Sequence, residues 1–158
     1  MDLMTWQDQI SDWYENRKHD QVETLEAILY QAPVSVFGPE LTDEQSKAIA
    51  CWLDGGLRVF QHARHQDPYK AFQTLQYISA NLEHTACDAM TDVLIKDWCL
   101  KRLQHVTVLS LEFCNQQTEQ IPWHSKAESL IETHVKLMDF LGWGNKLIQR
   151  DVRAKRLT

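Results

Sequence analysis

The stretch from Asp88 to Gln117, DAMTDVLIKDWCLKRLQHVTVLSLEFCNQQ, constrains the fold more than any other. Apolar residues recur on nearly every side of it: Met90, Val93, Leu94, Ile95, Trp98, Leu100, Leu103, Val106, Val108, Leu109, Leu111 and Phe113. Between His105 and Asn115 the one formal charge is Glu112. A helix that is apolar all round must be covered by the rest of its protein. The stretch is therefore read as the buried central helix, about 88–117, of an all-α bundle of five to seven helices.

Its second half admits another period. Thr107, Leu109, Leu111 and Phe113 alternate with Val106, Val108, Ser110 and Glu112, as on a strand. Helix is preferred because no turn residue separates this half from the first, and no comparable strand exists to pair with it.

The remaining chain supplies helices to cover such a core. Leu3, Trp6, Ile10, Trp13 and Tyr14 share a face over 3–18, with Thr5 and Asp8 as a capping pair. Asp20 and Glu23 open a second stripe of Val22, Leu25, Ile28 and Leu29, which Pro33 ends. Residues 32–41 read as an extended loop whose Val36 and Phe37 dock on the core. Thr42 and Gln45 start the next helix, with Ile49, Trp52, Leu53, Phe60 and Ala63 on one face. Gly55-Gly56 lowers helix propensity by about 2 kcal/mol relative to alanine. The stripe resumes in register at Phe60, so a continuous helix with close neighbours at the glycines is expected. Asp67-Pro68 begins the stripe Phe72, Leu75, Ile78 and Leu82. After a polar loop at 115–122, Ser125 and Glu128 cap a helix that Gly142-Trp143-Gly144 is expected to end, followed by a short basic one. No repeat or linker appears, and residues 1–158 are read as one domain.

Charge is spread unevenly. The net charge is −6, which argues against nonspecific nucleic-acid binding by the whole surface. Residues 146–158 carry five basic residues (Lys146, Arg150, Arg153, Lys155, Arg156) and one acid, a net +4. The first 145 residues hold the remaining 11 basic and 21 acidic residues, a net −10. Lys146, Arg150 and Arg153 recur at helical spacing, so they are the candidate partner-binding residues. The four cysteines (Cys51, Cys87, Cys99, Cys114) form no CxxC. No signal-peptide pattern opens the chain and no run of about 18 apolar residues occurs. A cytoplasmic protein with reduced thiols and no membrane contact is expected.

Chemistry has few footholds. No G-x-S-x-G, P-loop or dinucleotide fingerprint is present, and no cofactor is expected. His62, His65, His124 and Glu128 are the candidate metal ligands, with His84 a further histidine. His124-x-x-x-Glu128 and His134 with Asp139 resemble pieces of a hemerythrin-type di-iron site, without the converging set that such a site needs. Arg58 and His65 stand in an Arg-x6-His spacing that resembles the catalytic pattern of helical HEPN ribonucleases, with Val59 at the usual polar position. Six tryptophans are present, for which core packing is the first role and an aromatic ligand pocket the second.

The sequence thus favours a non-enzymatic regulator, adaptor or chaperone-like protein. It would bind a protein partner through a helical face and the basic C-terminal segment. A metal-binding or catalytic bundle using the His/Glu residues is one alternative. A nucleic-acid-associated protein acting through the C-terminal segment is another, and a homodimer fits the apolar surplus.

Overall fold

The computed structural model describes residues 1–16 and 21–156, with side chains through residue 142. Among the described residues every regular element is helical. They are α1 (Leu3–Glu15), α2 (Val22–Tyr30), a 3-10 turn at Val34–Phe37, α3 (Asp43–Ala63), α4 (Pro68–Cys87), α5 (Val93–Asn115) and α6 (Gln120–Arg156). The protein is an all-α helical bundle, and Val106–Phe113 is helix rather than strand. The chain divides into two compact units, Met1–Val106 and Thr107–Thr158, and the boundary falls inside α5.

The middle of the first unit belongs to α3, which packs against α1, α2, the 3-10 turn and α4. Ten of its 21 residues are buried, including Trp52 and Phe60. Its start is capped as the sequence indicates: Thr42 Oγ1 accepts from the Gln45 N–H at 3.0 Å. Gly55 and Gly56 do not break it. A Cβ at Gly55 would lie 2.9 Å from Leu29 Cδ2, and one at Gly56 would lie 2.8 Å from Ile78 Cδ1. The absent side chains are what let α2 and α4 approach so closely.

α1 buries Trp6, Ile10 and Trp13. Each such side chain contributes roughly 1.5–3 kcal/mol through apolar burial. Both indoles keep their hydrogen bonds, Trp6 Nε1 donating to Ile28 O at 2.8 Å and Trp13 Nε1 to Gln21 O at 3.0 Å. Asp2 caps α1 through the Thr5 N–H, one turn before the expected pairing of Thr5 with Asp8. The start assigned to Asp20 lies outside the described residues. Asp67 caps α4 with Pro68 in the first turn, and Phe72, Leu75, Ile78 and Leu82 are all buried.

Helix α5 differs from the all-round burial expected of it. It buries one stripe, Ile95, Cys99, Leu103, Val106, Ser110 and Phe113 with Cys114, at three- and four-residue spacing. Val93, Leu94 and Val108 are exposed. Apolar composition alone cannot distinguish a helix covered on all sides from one whose outer face is also greasy. The helix also starts later than Asp88. The Asp88 carboxylate accepts from the Met90 N–H and the Thr91 hydroxyl, both at 3.0 Å, and holds 88–92 as a turn.

In the second unit Phe113 meets Trp123 edge-on, with ring centroids 5.4 Å apart, and Ala127 and Leu137 are buried. α6 begins at Gln120, so Ser125 lies inside it rather than at its cap. It also runs through Gly142 and Gly144 instead of ending there. A Cβ at Gly142 would meet no described atom within 4 Å, so no described neighbour requires that glycine.

Candidate functional site

Two helix starts meet in the first unit and leave a pocket between them. Gly38, at φ 114°, turns the chain after the 3-10 turn, and a Cβ there would be 3.3 Å from Thr91 Cγ2 and 3.4 Å from Ile95 Cδ1. The Asp92 N–H then donates to Pro39 O at 2.9 Å, tying the turn before α5 to the turn before α3. Between them lies a pocket of about 200 Å³. Leu41, Gln45, Ser46 and Ile49 line one wall, and Leu94, Ile95 and Trp98 line the other.

The walls are mostly apolar, and two of the residues that line them face solvent, Leu94 at 62% exposure and Leu41 at 40%. Met90 and Val93, which precede Leu94 in the chain, are exposed as well. Arg102 lies over the Trp98 ring, 4.9 Å from its centroid, and fixes that indole from one side.

Gln45 and Ser46 are the polar residues of the wall, and Gln45 is 2% exposed. Its Nε2 donates to Val36 O at 2.9 Å, which orients the amide, because a flip would set two oxygens against each other. Its Oε1 is buried and accepts no hydrogen bond from any described residue.

Among the described residues the histidines do not converge. His62 lines a separate groove of about 220 Å³ with Glu23, Glu26, Asp67 and Lys70, in which Lys70 pairs with Glu26 at 3.0 Å. His65 is exposed in the turn after α3. His124 pairs with Glu128 at 3.2 Å on the open surface of α6. Among the described residues no group of three or more His, Cys, Asp or Glu side chains is placed to share a metal ion.

Arg58 is engaged elsewhere than with His65. Its Nε donates to Asp54 Oδ2 at 2.9 Å, and its guanidinium lies 5.1 Å from the centre of the Tyr14 ring. Asp54 also accepts from the Tyr14 hydroxyl. Burial raises the Asp54 carboxyl, but the Tyr14 and Arg58 hydrogen bonds outweigh it and hold the group below its ordinary range. The cluster joins α1 to α3, and its geometry is that of a structural clasp.

Burial pushes the Cys99 thiol up to about 12 and also raises Cys114 and Cys87. Four of the six tryptophans, Trp6, Trp13, Trp52 and Trp123, are core residues, while Trp98 lines the pocket. Core packing thus accounts for most of the surplus, and the aromatic pocket involves one ring.

Lys146, Arg150, Arg153, Lys155 and Arg156 all fall on the helical backbone of α6, and their side chains lie outside the described residues. Of the pocket residues, the sequence pointed only to Trp98, as one of six tryptophans with an aromatic pocket as their second role. A further signal lay in Val93 and Leu94, which lie off the buried stripe of α5. Among the described residues no helix is long and apolar enough to cross a membrane. No protein-family model, curated protein or solved structure matches this chain.

Proposed function

We propose that this chain is a non-enzymatic helical interaction protein, a regulator, adaptor or chaperone-like protein of the cytoplasm. It binds a protein partner through the face around the α3–α5 pocket and through the basic segment 146–158. The observation that carries this reading is the pocket itself, lined mostly by apolar residues of which Leu41 and Leu94 are exposed. Exposed apolar surface gathered in one place marks interaction sites. Size supports a protein partner too. Small-molecule and cofactor sites run to about 300–1,000 Å³, whereas a pocket of about 200 Å³ suits one anchoring side chain.

The basic segment fits the same role. As helix, it carries Lys146, Arg150 and Arg153 at three- and four-residue spacing, in a chain whose first 145 residues have a net charge of −10. Its cations would meet an acidic surface of the partner.

The test uses two changes in the full chain. Leu94→Glu puts a carboxylate at the pocket mouth, and removal of residues 146–158 deletes the basic block. Leu94→Glu is expected to weaken partner capture by about 30-fold, the effect of losing one anchor of about 2 kcal/mol. Deletion is expected to abolish capture while the far-ultraviolet circular dichroism changes little beyond the lost turns. A captured set that neither change alters overturns the reading. Capture of RNA or DNA, with steep loss as salt rises, would instead favour the nucleic-acid alternative. A sedimentation shift on Leu94→Glu alone would identify the partner as a second copy.

A further inference from the structure

We propose that the occupant of the α3–α5 face is a second copy of this chain. A two-fold axis through the pocket relates the copies, so that the acidic rim of α3 in each meets the basic rim of α5 in the other. The proposal rests on the docking reading above and names the partner.

The rims carry opposite charge. Around the α3 wall, positions 40–47 hold Glu40, Asp43 and Glu44 against Lys47, a net −2, and all four are exposed. Around the α5 wall, positions 94–102 hold Lys96, Lys101 and Arg102 against Asp97, a net +2. Lys101 and Arg102 stand three and four positions after Trp98, on the helix face that carries this pocket residue. Arg102 lies over the Trp98 ring, and Asp97, the one acid of this rim, pairs with Lys101 at 3.1 Å. On the other wall, Glu40 precedes the pocket residue Leu41, and Asp43 stands three positions before Ser46.

A two-fold interface sets one patch against itself, so the patch must complement its own rotated copy. A face of one sign would repel that copy. This face is mostly apolar in the middle, acidic on one side and basic on the other, and the two-fold rotation exchanges the sides. The dimer then sets a −2 rim against a +2 rim twice, around a centre in which Leu41, Leu94 and Trp98 leave water. Opposed rims also fix the register and disfavour like-charged arrangements. The basic segment points to the same partner. Its net +4 suits an acidic surface, and the first 145 residues of a second copy carry −10.

The test is sedimentation velocity of the full-length protein over a concentration series, with charge changes in the two rims. A reversible dimer is expected, weaker as salt rises. Lys101→Glu and Glu40→Lys alter residues that neither line the pocket nor cap a helix. Each alone puts like charges together at both rim contacts and is expected to weaken the dimer about tenfold. Mixed in equal amounts, the two variants should bind each other more tightly than either binds itself, because opposite charges then meet at both contacts. A folding defect would persist in the mixture, so this preference reports the rims. A monomer at every concentration up to about 1 mM overturns the proposal. A dimer indifferent to both rim changes and to Leu94→Glu overturns the face, and a mixture no tighter than its components overturns the rim pairing. If the chain stays monomeric while Leu94→Glu still removes capture of another protein, the second-copy assignment falls and the docking reading stands. If Leu94→Glu changes neither self-association nor capture, both fall.

Discussion

Gly55 and Gly56 occupy adjacent positions in one helix, yet alanine should act differently at the two. Alanine gains about 1 kcal/mol of helix propensity over glycine at either site. Against that gain stands overpacking, typically about 1–3 kcal/mol in a filled core. At Gly55 the new methyl meets Leu29 Cδ2 at 2.9 Å, the tip of a side chain with two rotatable bonds. At Gly56 it meets Ile78 Cδ1 at 2.8 Å and Cγ1 at 3.0 Å, and Ile78 is fully buried. A β-branched residue in a helix has one favoured χ1 and cannot swing aside. Gly56→Ala is therefore expected to lower stability by about 1–2 kcal/mol, and Gly55→Ala by less, as read from urea midpoints. Equal midpoints for the two variants would mean that α4 moves away from α3 as a rigid unit. The double glycine shows what a sequence reveals at this level. Resumption of the stripe at Phe60 foretold an unbroken helix with close neighbours, but not that the neighbours are Leu29 and Ile78.

The helices themselves were readable wherever a local cause set them. Thr42, Asp67 and Pro68 act within a single turn, so the starts of α3 and α4 were apparent from the chain alone. The turn at 88–92 was harder, because the Asp92 N–H is satisfied by Pro39, more than fifty residues away in sequence. The pocket was hidden for the same reason, since its walls come from 41–49 and 94–98. Gly142 failed as a stop signal. A glycine ends a helix when the backbone there turns left-handed, and otherwise it only weakens the helix it sits in. Because a Cβ at Gly142 meets no described atom within 4 Å, Gly142→Ala should stabilise α6 by about 0.5–1 kcal/mol. The expected readout is a rise in melting temperature with more helical ellipticity at 222 nm, opposite in sign to the effect at Gly56. A fall in both would show that the glycine does end the helix in solution.

The chain has two compact units, and whether they unfold as one domain is a question for unfolding experiments. The boundary between the units falls near Val106, where α5 continues from Val93 to Asn115. Independent unfolding of either unit would have to end α5 in its middle. That would free about four backbone carbonyls on one side and four N–H groups on the other, with no cap residue provided at the break. A helix broken there must also be nucleated again on refolding, which is unfavourable. We therefore expect one cooperative transition. Trp52 is buried in the first unit and Trp123 in the second, so fluorine NMR of 5-fluorotryptophan-labelled protein gives each unit its own reporter. Their signals should disappear at one urea concentration. If the Trp123 signal were lost first while Trp52 stayed native, the units would be separate domains, with α5 fraying at the boundary. The docking pocket, built from residues 41–98, would then survive the loss of α6, and anchor recognition would be separable from the charge carried by Lys146–Arg156.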